Sequence, residues 1–218
     1  MNLPDNTLFT HFQSYLERTV LCSLALIVGC GKNVSGETSL LRIDPAQAGA
    51  NAIELYDANG DQTLDATELT SCPPLAQVLP SFDSNSDGKL NASEITGRFL
   101  RLYTAQTLAP FDCVVLLDGK PLANATVQLK PCNIHGELSI VGQGTTDAKG
   151  RASVALPADQ VPAELENSQG LPPGVYRVEI THPSSNLPVK YNTESTLGCE
   201  VGAIAGRGQL VNFSLKST

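Results

Sequence analysis

The chain has no Trp, one Met and only three His among its 218 residues. So thin a supply of imidazole argues against histidine-based acid–base catalysis and against a His-rich metal site. Lys and Arg number 14 against 22 Asp and Glu, for a net charge of −8. No broad basic face is available to neutralise phosphates, so no nucleic-acid partner is expected. Six cysteines stand at 22, 30, 72, 113, 132 and 199, but no two form a CxxC pair, which argues against a zinc ribbon. The N-terminal apolar run Val20–Val28 has nine residues, where a membrane-spanning helix needs about 20. Gly142-Gln-Gly144 is followed by no GK[ST], so it is no phosphate loop.

What is present is acid, and it is concentrated. Two twelve-residue loops run Asp57-Ala-Asn-Gly-Asp-Gln-Thr-Leu-Asp-Ala-Thr-Glu68 and Asp83-Ser-Asn-Ser-Asp-Gly-Lys-Leu-Asn-Ala-Ser-Glu94. Oxygen-bearing side chains fall at loop positions 1, 3, 5 and 9, and a Glu closes each at position 12. That is the ligand pattern of an EF-hand calcium loop, which surrounds a hard cation with six to eight oxygens. Loop 1 offers Asp57, Asn59, Asp61, the Thr63 carbonyl, Asp65 and a bidentate Glu68. Loop 2 offers Asp83, Asn85, Asp87, the Lys89 carbonyl, Asn91 and Glu94. Glu at position 12 has the reach to give both oxygens, which favours Ca²⁺ over the smaller, octahedral Mg²⁺. With Asp57, Asp61, Asp65 and Glu68, loop 1 carries −4; Lys89 leaves loop 2 at −2, so the rest of the chain accounts for only −2.

The loops differ where the backbone must turn with positive φ. Loop 2 has Gly88 at position 6; loop 1 has Gln62 there, at a cost of about 1 kcal/mol. Loop 2 is therefore expected to be the better formed, with the extra carboxylate of loop 1 a partial offset. Leu64 and Leu90, at position 8 of each, are expected to meet in a short β-bridge. Asp44-Pro45 reads as N-cap and first helical residue, leading a helix with Ala48, Ala52, Ile53 and Tyr56 on its apolar face. Only 14 residues separate Glu68 from Asp83. The helix leaving loop 1 must therefore be short and end at Pro73-Pro74, with a new helix following on Leu75, Val78, Leu79 and Phe82. The helix leaving loop 2 is expected over about 92–106, with Ile95, Phe99 and Leu102 inward.

Val20–Val28 fits the apolar core of a signal peptide. Ile27-Val28-Gly29-Cys30 after it resembles a bacterial lipobox, whose Cys becomes the lipidated first residue of the mature protein. The small, polar Gly31-Lys-Asn-Val-Ser-Gly-Glu-Thr38 suits a tether. The expected layout is a signal peptide over 1–29, a lipidated tether over 30–43 with Cys30 as its anchor, the EF-hand pair over 44–107, and a β-sandwich over 110–218. This makes an exported lipoprotein, held to a membrane at the periplasm or cell surface.

From about Phe111 the period changes to two. Strands are expected at 113–117, 125–130, 138–141, 143–146, 151–156, 174–181, 187–191 and 209–215, with turn signals between, which suggests a small β-sandwich. Asp118-Gly-Lys-Pro-Leu-Ala-Asn-Ala-Thr-Val, Thr146-Asp-Ala-Lys-Gly-Arg-Ala and Pro173-Gly-Val-Tyr-Arg-Val together resemble the carboxypeptidase regulatory-like domain, a transthyretin-like sandwich. The resemblance implies a domain with no catalysis of its own. Taken with the lipobox, Glu68-Leu-Thr-Ser-Cys72-Pro73 between the loops, and Lys190-Tyr-Asn-Thr-Glu-Ser-Thr-Leu197, the chain resembles a group of planctomycete-type lipoproteins.

The fold class expected is α+β as separate domains, a small all-α EF-hand pair followed by an all-β sandwich. His135, His182 and Ser184-Ser185 read as loop residues, with no nucleophile, base and oxyanion donors gathered in one place; no enzyme is expected. Of the three ways to pair Cys72, Cys113, Cys132 and Cys199, Cys72–Cys113 with Cys132–Cys199 is the one expected, free buried thiols being the alternative. The function expected is non-catalytic calcium binding with Ca²⁺ as a structural ligand. A calcium-responsive adhesion or adaptor module, and an accessory subunit of an enzyme, are the other two readings; no protein partner is indicated.

Overall fold

The computed structural model describes residues 43–102, 108–136, 138–202 and 209–218, all within one compact unit. The expected signal peptide, Cys30 and the tether up to residue 42 lie outside the described residues, as do residues 103–106 of the helix expected over 92–106; Ile43, given to the tether, is buried in the helical core.

Asp44 opens helix α1 (Pro45–Tyr56) by accepting the backbone N–H groups of Ala46 at 2.9 Å and Gln47 at 3.3 Å. Loop 1 follows, and its exit is a single 3₁₀ turn, Glu68–Ser71. The chain then restarts as α2 (Pro73–Phe82), with Pro73 at the first helical position, where a missing N–H costs nothing. Leu75, Val78 and Phe82 of α2 are buried, with Leu79 packed beside them. Loop 2 leads into α3 (Ala92–Leu102), which buries Ile95, Phe99 and Leu102. Between the loops, β1 (Thr63–Leu64) and β2 (Leu90–Asn91) pair antiparallel, with Leu64 opposite Leu90.

The second half is two four-stranded sheets. In one, β10 (Gln209–Leu215) runs parallel to β3 (Phe111–Leu117), whose other edge takes β4 (Lys120–Pro121) and β7 (Arg151–Val154) antiparallel. In the other, β6 (Gly142–Thr145), β5 (Thr126–Pro131), β8 (Gly174–Thr181) and β9 (Gly198–Val201) lie antiparallel in that order. Phe111, Cys113, Val115, Val127, Leu129, Tyr176, Val178 and Ile180 fill the space between the sheets. The turn at 146–150 is tied by Thr146, whose hydroxyl donates to the Leu122 carbonyl at 2.6 Å and accepts from the Ala125 N–H at 2.8 Å.

Two expected strands are absent. Leu187–Tyr191 contains Pro188, which cannot donate to a ladder, and the chain there makes a 3₁₀ turn, Val189–Tyr191. Residues 138–141 are irregular. The strand that completes the sheet is Gly198–Val201, whose Gly and Glu hide its period.

The helices do not form a separate domain. Their core takes in Cys132, Ile134 and Val175 from the sandwich. Val175 explains why burial on β8 stops alternating: Tyr176 faces between the sheets, whereas Val175 faces the helices. Gly198 permits the contact, since a Cβ there would lie 2.3 Å from the Cα of Pro74 in α2. Arg98 of α3 forks onto Glu200 of β9, Nε to Oε2 at 2.8 Å and Nη2 to Oε1 at 2.5 Å, and the Ser81 hydroxyl of α2 joins at 3.3 Å. The molecule is a mixed α+β fold in which helices cover one sheet.

Candidate metal centre

The two acidic loops are built alike. In loop 1, Asp57 ends α1 and turns its carboxylate back over the loop. It accepts the N–H groups of Gly60 at 2.8 Å, Asp61 at 3.2 Å and Gln62 at 2.9 Å. Asn59 Oδ1 accepts from the Asp61 N–H at 2.8 Å. Asp61 accepts from the Thr63 N–H at 2.9 Å and hydroxyl at 2.6 Å. Glu68 reaches back across the loop, its Oε1 accepting from Ala58 and Asn59 and its Oε2 from Asp65.

Loop 2 repeats this bond for bond in its main features. Asp83 accepts from Asp87 and Gly88, Asn85 from Asp87, and Asp87 from Lys89. Glu94 Oε1 accepts from Ser84 and Asn85, and its Oε2 from Asn91. The position 9 residues have a local use. Asp65 Oδ1 accepts from Thr67 and Glu68, and Asn91 Oδ1 from Glu94, so each caps the exit turn of its loop.

Both position 6 residues take the left-handed conformation, Gln62 at φ 65° and Gly88 at φ 79°. The hydrogen bond from Gln62 N–H to Asp57 holds the strained residue in place. Despite that strain, loop 1 gathers its acids more closely. Oxygens of Asp57, Asp61 and Glu68 lie within 4.8 Å of one another, and among the described residues this is the one such group. The expected ranking, loop 2 the better formed, is not what the carboxylate spacing displays.

Glu68 and Glu94 are 7% and 8% exposed. Among the described residues neither has a Lys or Arg nitrogen within ion-pairing distance. A buried carboxylate without a counter-charge is costly; backbone N–H groups answer both, joined at Glu94 by the Ser84 hydroxyl at 3.2 Å. The donor set of carboxylates, Asn amide oxygens and main-chain carbonyls is hard oxygen throughout, and so suits a hard divalent cation.

One charge at the site acts on a loop other than its own. Lys89 is expected to offset the acids of loop 2 and to lend that loop its carbonyl, but its ammonium reaches over the β-bridge to loop 1. Nζ lies 3.3 Å from Asp61 Oδ2 and 3.3 Å from the Thr63 hydroxyl. The antiparallel register puts Thr63 opposite Asn91 and so brings Lys89 alongside; pairing the two loops on paper would have exposed this. The Asp61 carboxyl is lowered to about 2, first by the Thr63 hydroxyl, then by the Thr63 N–H, with Lys89 adding to both.

The two described histidines are committed to the backbone. His182 Nδ1 accepts from Ser184 and Ser185, and its Nε2 bonds the Ala123 carbonyl at 2.9 Å. His135 Nε2 lies 2.7 Å from the Val175 carbonyl, and its Nδ1 is closed off from solvent and has no partner among the described residues. Cys72 lies beside Cys132, Sγ to Sγ 3.4 Å, not beside Cys113. All four are free, buried thiols, the alternative to the expected pairing: Cys113 and Cys199 belong to the sandwich interior, whereas Cys72 and Cys132 meet where the helices cover the sheet.

No family model matches the chain, and no curated protein matches it. Among solved structures, the TIE protein of Bacillus anthracis is similar at 15% identity and a TM-score of 0.35, over 52% of this chain and 17% of that one. The chlorocatechol 1,2-dioxygenase of Pseudomonas putida is similar at 14% identity and a TM-score of 0.26, over 74% of this chain and 88% of that one. Likeness at this level carries no functional argument.

Proposed function

We propose that this chain is a non-catalytic calcium-binding protein, an EF-hand pair mounted on a carboxypeptidase regulatory-like sandwich, exported and anchored through a lipid on Cys30. The observation that supports it most is the duplication of one loop architecture. Twice, carboxylate and amide oxygens from positions 1, 3, 5 and 12 are drawn inward by the same backbone N–H groups, and the two loops stand back to back across Leu64 and Leu90. Solvated acidic turns have no reason to repeat that set or to bury both closing glutamates.

Bound Ca²⁺ would supply positive charge to carboxylates that otherwise repel one another. The side chains of Asp57, Asn59, Asp61, Glu68, Asp83, Asn85, Asp87 and Glu94 would hold it. The Thr63 and Lys89 carbonyls would complete each shell, with Asp65 and Asn91 bracing the exit turns. The role of calcium in this reading is structural, as in extracellular modules that bind at about 10⁻⁴ to 10⁻³ M, where the ion is a lasting ligand of the fold. The lipid rests on the Cys30 signal, and kinship with planctomycete-type lipoproteins on the motifs that carry that resemblance. Among the described residues no helix is long and apolar enough to cross a membrane.

Calorimetric titration of calcium into the chain from Gly31 onward tests the central point. Two binding events are expected, with Asp83→Ala and Glu94→Ala each weakening one of them at least tenfold. Absence of binding at millimolar calcium would sink the reading. Loss of membrane fractionation in Cys30→Ser tests the anchor separately.

A further inference from the structure

The place where the helices meet the sandwich contains a feature that calcium binding does not use. Cys72, the residue between the loop 1 exit turn and α2, is 2% exposed; Cys132, just past the end of β5, is 6% exposed. Their sulfurs are 3.4 Å apart. Sixty positions separate them in the chain, so nothing local forces this contact; the docking of helices on sheet does. We infer that Cys72 and Cys132 form a disulfide that staples the helical layer to the sandwich, made by exchange with a small-molecule or protein disulfide as the two parts close.

Closing the bond needs the sulfurs to approach by about 1.4 Å, to the covalent length of about 2.05 Å. The two thiols bear on each other. The Cys72 thiol is held below its ordinary range, first by its hydrogen bond with Cys132, then by the Leu75 N–H in the first turn of α2, the Tyr56 hydroxyl and the charge of Arg177, against the pull of burial. The Cys132 thiol is pushed up, first by that same bond and then by burial. The exchange balances from either sulfur; from Cys72, it begins with loss of that thiol's proton. Its thiolate displaces one RS⁻ from R–S–S–R, giving a mixed disulfide on Cys72. Cys132 then loses its proton and attacks the Cys72 sulfur, expelling the second RS⁻. Two protein thiols are oxidised, one external disulfide is reduced to two RSH, and the two protons leave on those products.

Burial implies that the exchange accompanies folding. Once made, the bond is shielded from reductant, as befits an oxidising compartment. Cys113 and Cys199 differ in kind. Each is buried within the sandwich core, and burial pushes both thiols up, Cys113 to about 12, so neither is disposed to attack. The inference does not rest on the calcium reading, because no loop ligand takes part.

The test is made on the full chain, refolded with oxidised glutathione, then alkylated and cut before Asp. That cleavage separates the four cysteines into peptides 65–82, 112–117, 118–146 and 159–218. The expected result is one species joining 65–82 to 118–146, with Cys113 and Cys199 alkylated. The expected loss on reduction is about 5–15 °C in Tm, matched by Cys132→Ser under oxidising conditions and absent from Cys132→Ser on reduction. A Cys113→Ala/Cys199→Ala double variant, which removes scrambling partners, must still form the bridge. A bridge between other peptides, or four alkylated thiols in a chain whose near-ultraviolet circular dichroism is native, would overturn the inference.

Discussion

Lys89 shows how one residue can act on a loop it does not belong to. Its ammonium sits on Asp61, the position 5 acid of the neighbouring loop, and under the proposed function would compete there with calcium. Both partners are well exposed, so the pair is weak and screened by salt. Lys89→Gln is expected to tighten calcium at loop 1 by about 2–5-fold at low ionic strength, with the gain shrinking toward none near 1 M salt; titrations at two salt concentrations check it. His135 acts at the same scale but on stability. Packed against Phe99 and near Tyr176, the ring is lowered to about 4 by burial, against an opposing backbone bond to Val175. An unfolded histidine titrates near 6.5. Between those values the unfolded chain takes up a proton that the folded chain refuses, so stability falls as pH drops from about 6.5 to 4. The loss amounts to up to about 3 kcal/mol, with no contribution above 6.5. Urea unfolding at pH 7.5 and 4.5 measures it, and His135→Leu should flatten the slope.

At the scale of elements, the contact of α2 and α3 with β9 depends on the Arg98–Glu200 fork, whose side chains are 17% and 5% exposed. Glu200→Gln leaves a guanidinium without its counter-charge, and the expected cost is about 2–4 kcal/mol in denaturant unfolding. Nothing in the sequence pointed to this pair, which spans 102 positions and joins a helix to a strand that the reading missed. What could be read was local. Asp44-Pro45 announced α1, the Leu75–Phe82 stripe announced α2, and Leu64 and Leu90 met as the repeat of the loops required. What could not be read was the joint. A helix stripe declares that it is buried but not against what, and Val175 looked like one more residue of an alternating strand. The Cys72–Cys132 contact was hidden for the same reason. Four cysteines admit three pairings, and only the docking of layers selects one. Pro188, by contrast, is legible: a residue that cannot donate to a ladder argues against a strand at 187–191.

For the molecule as a whole, the shared core means that the acidic loops and the sandwich stabilise each other. An ion held in either loop fixes the ends of helices whose apolar faces rest on Ile134 and Val175, so under the proposed function calcium and the sheet would melt together in one transition. The parallel pairing of β3 with β10 has a different consequence, and it concerns time. Phe111 is matched with Gln209, and the ladder continues to Leu117 with Leu215. Contacts so distant along the chain form late, because the intervening segment must first be gathered at an entropic cost. The helices, for their part, need residues 132–134, 175 and 200 before their core is closed. Neither half can finish while those residues are still being synthesised, so a nascent chain stays open and threadable through most of its production. Under the proposed export, such an architecture would suit passage through a narrow translocation channel before the fold settles.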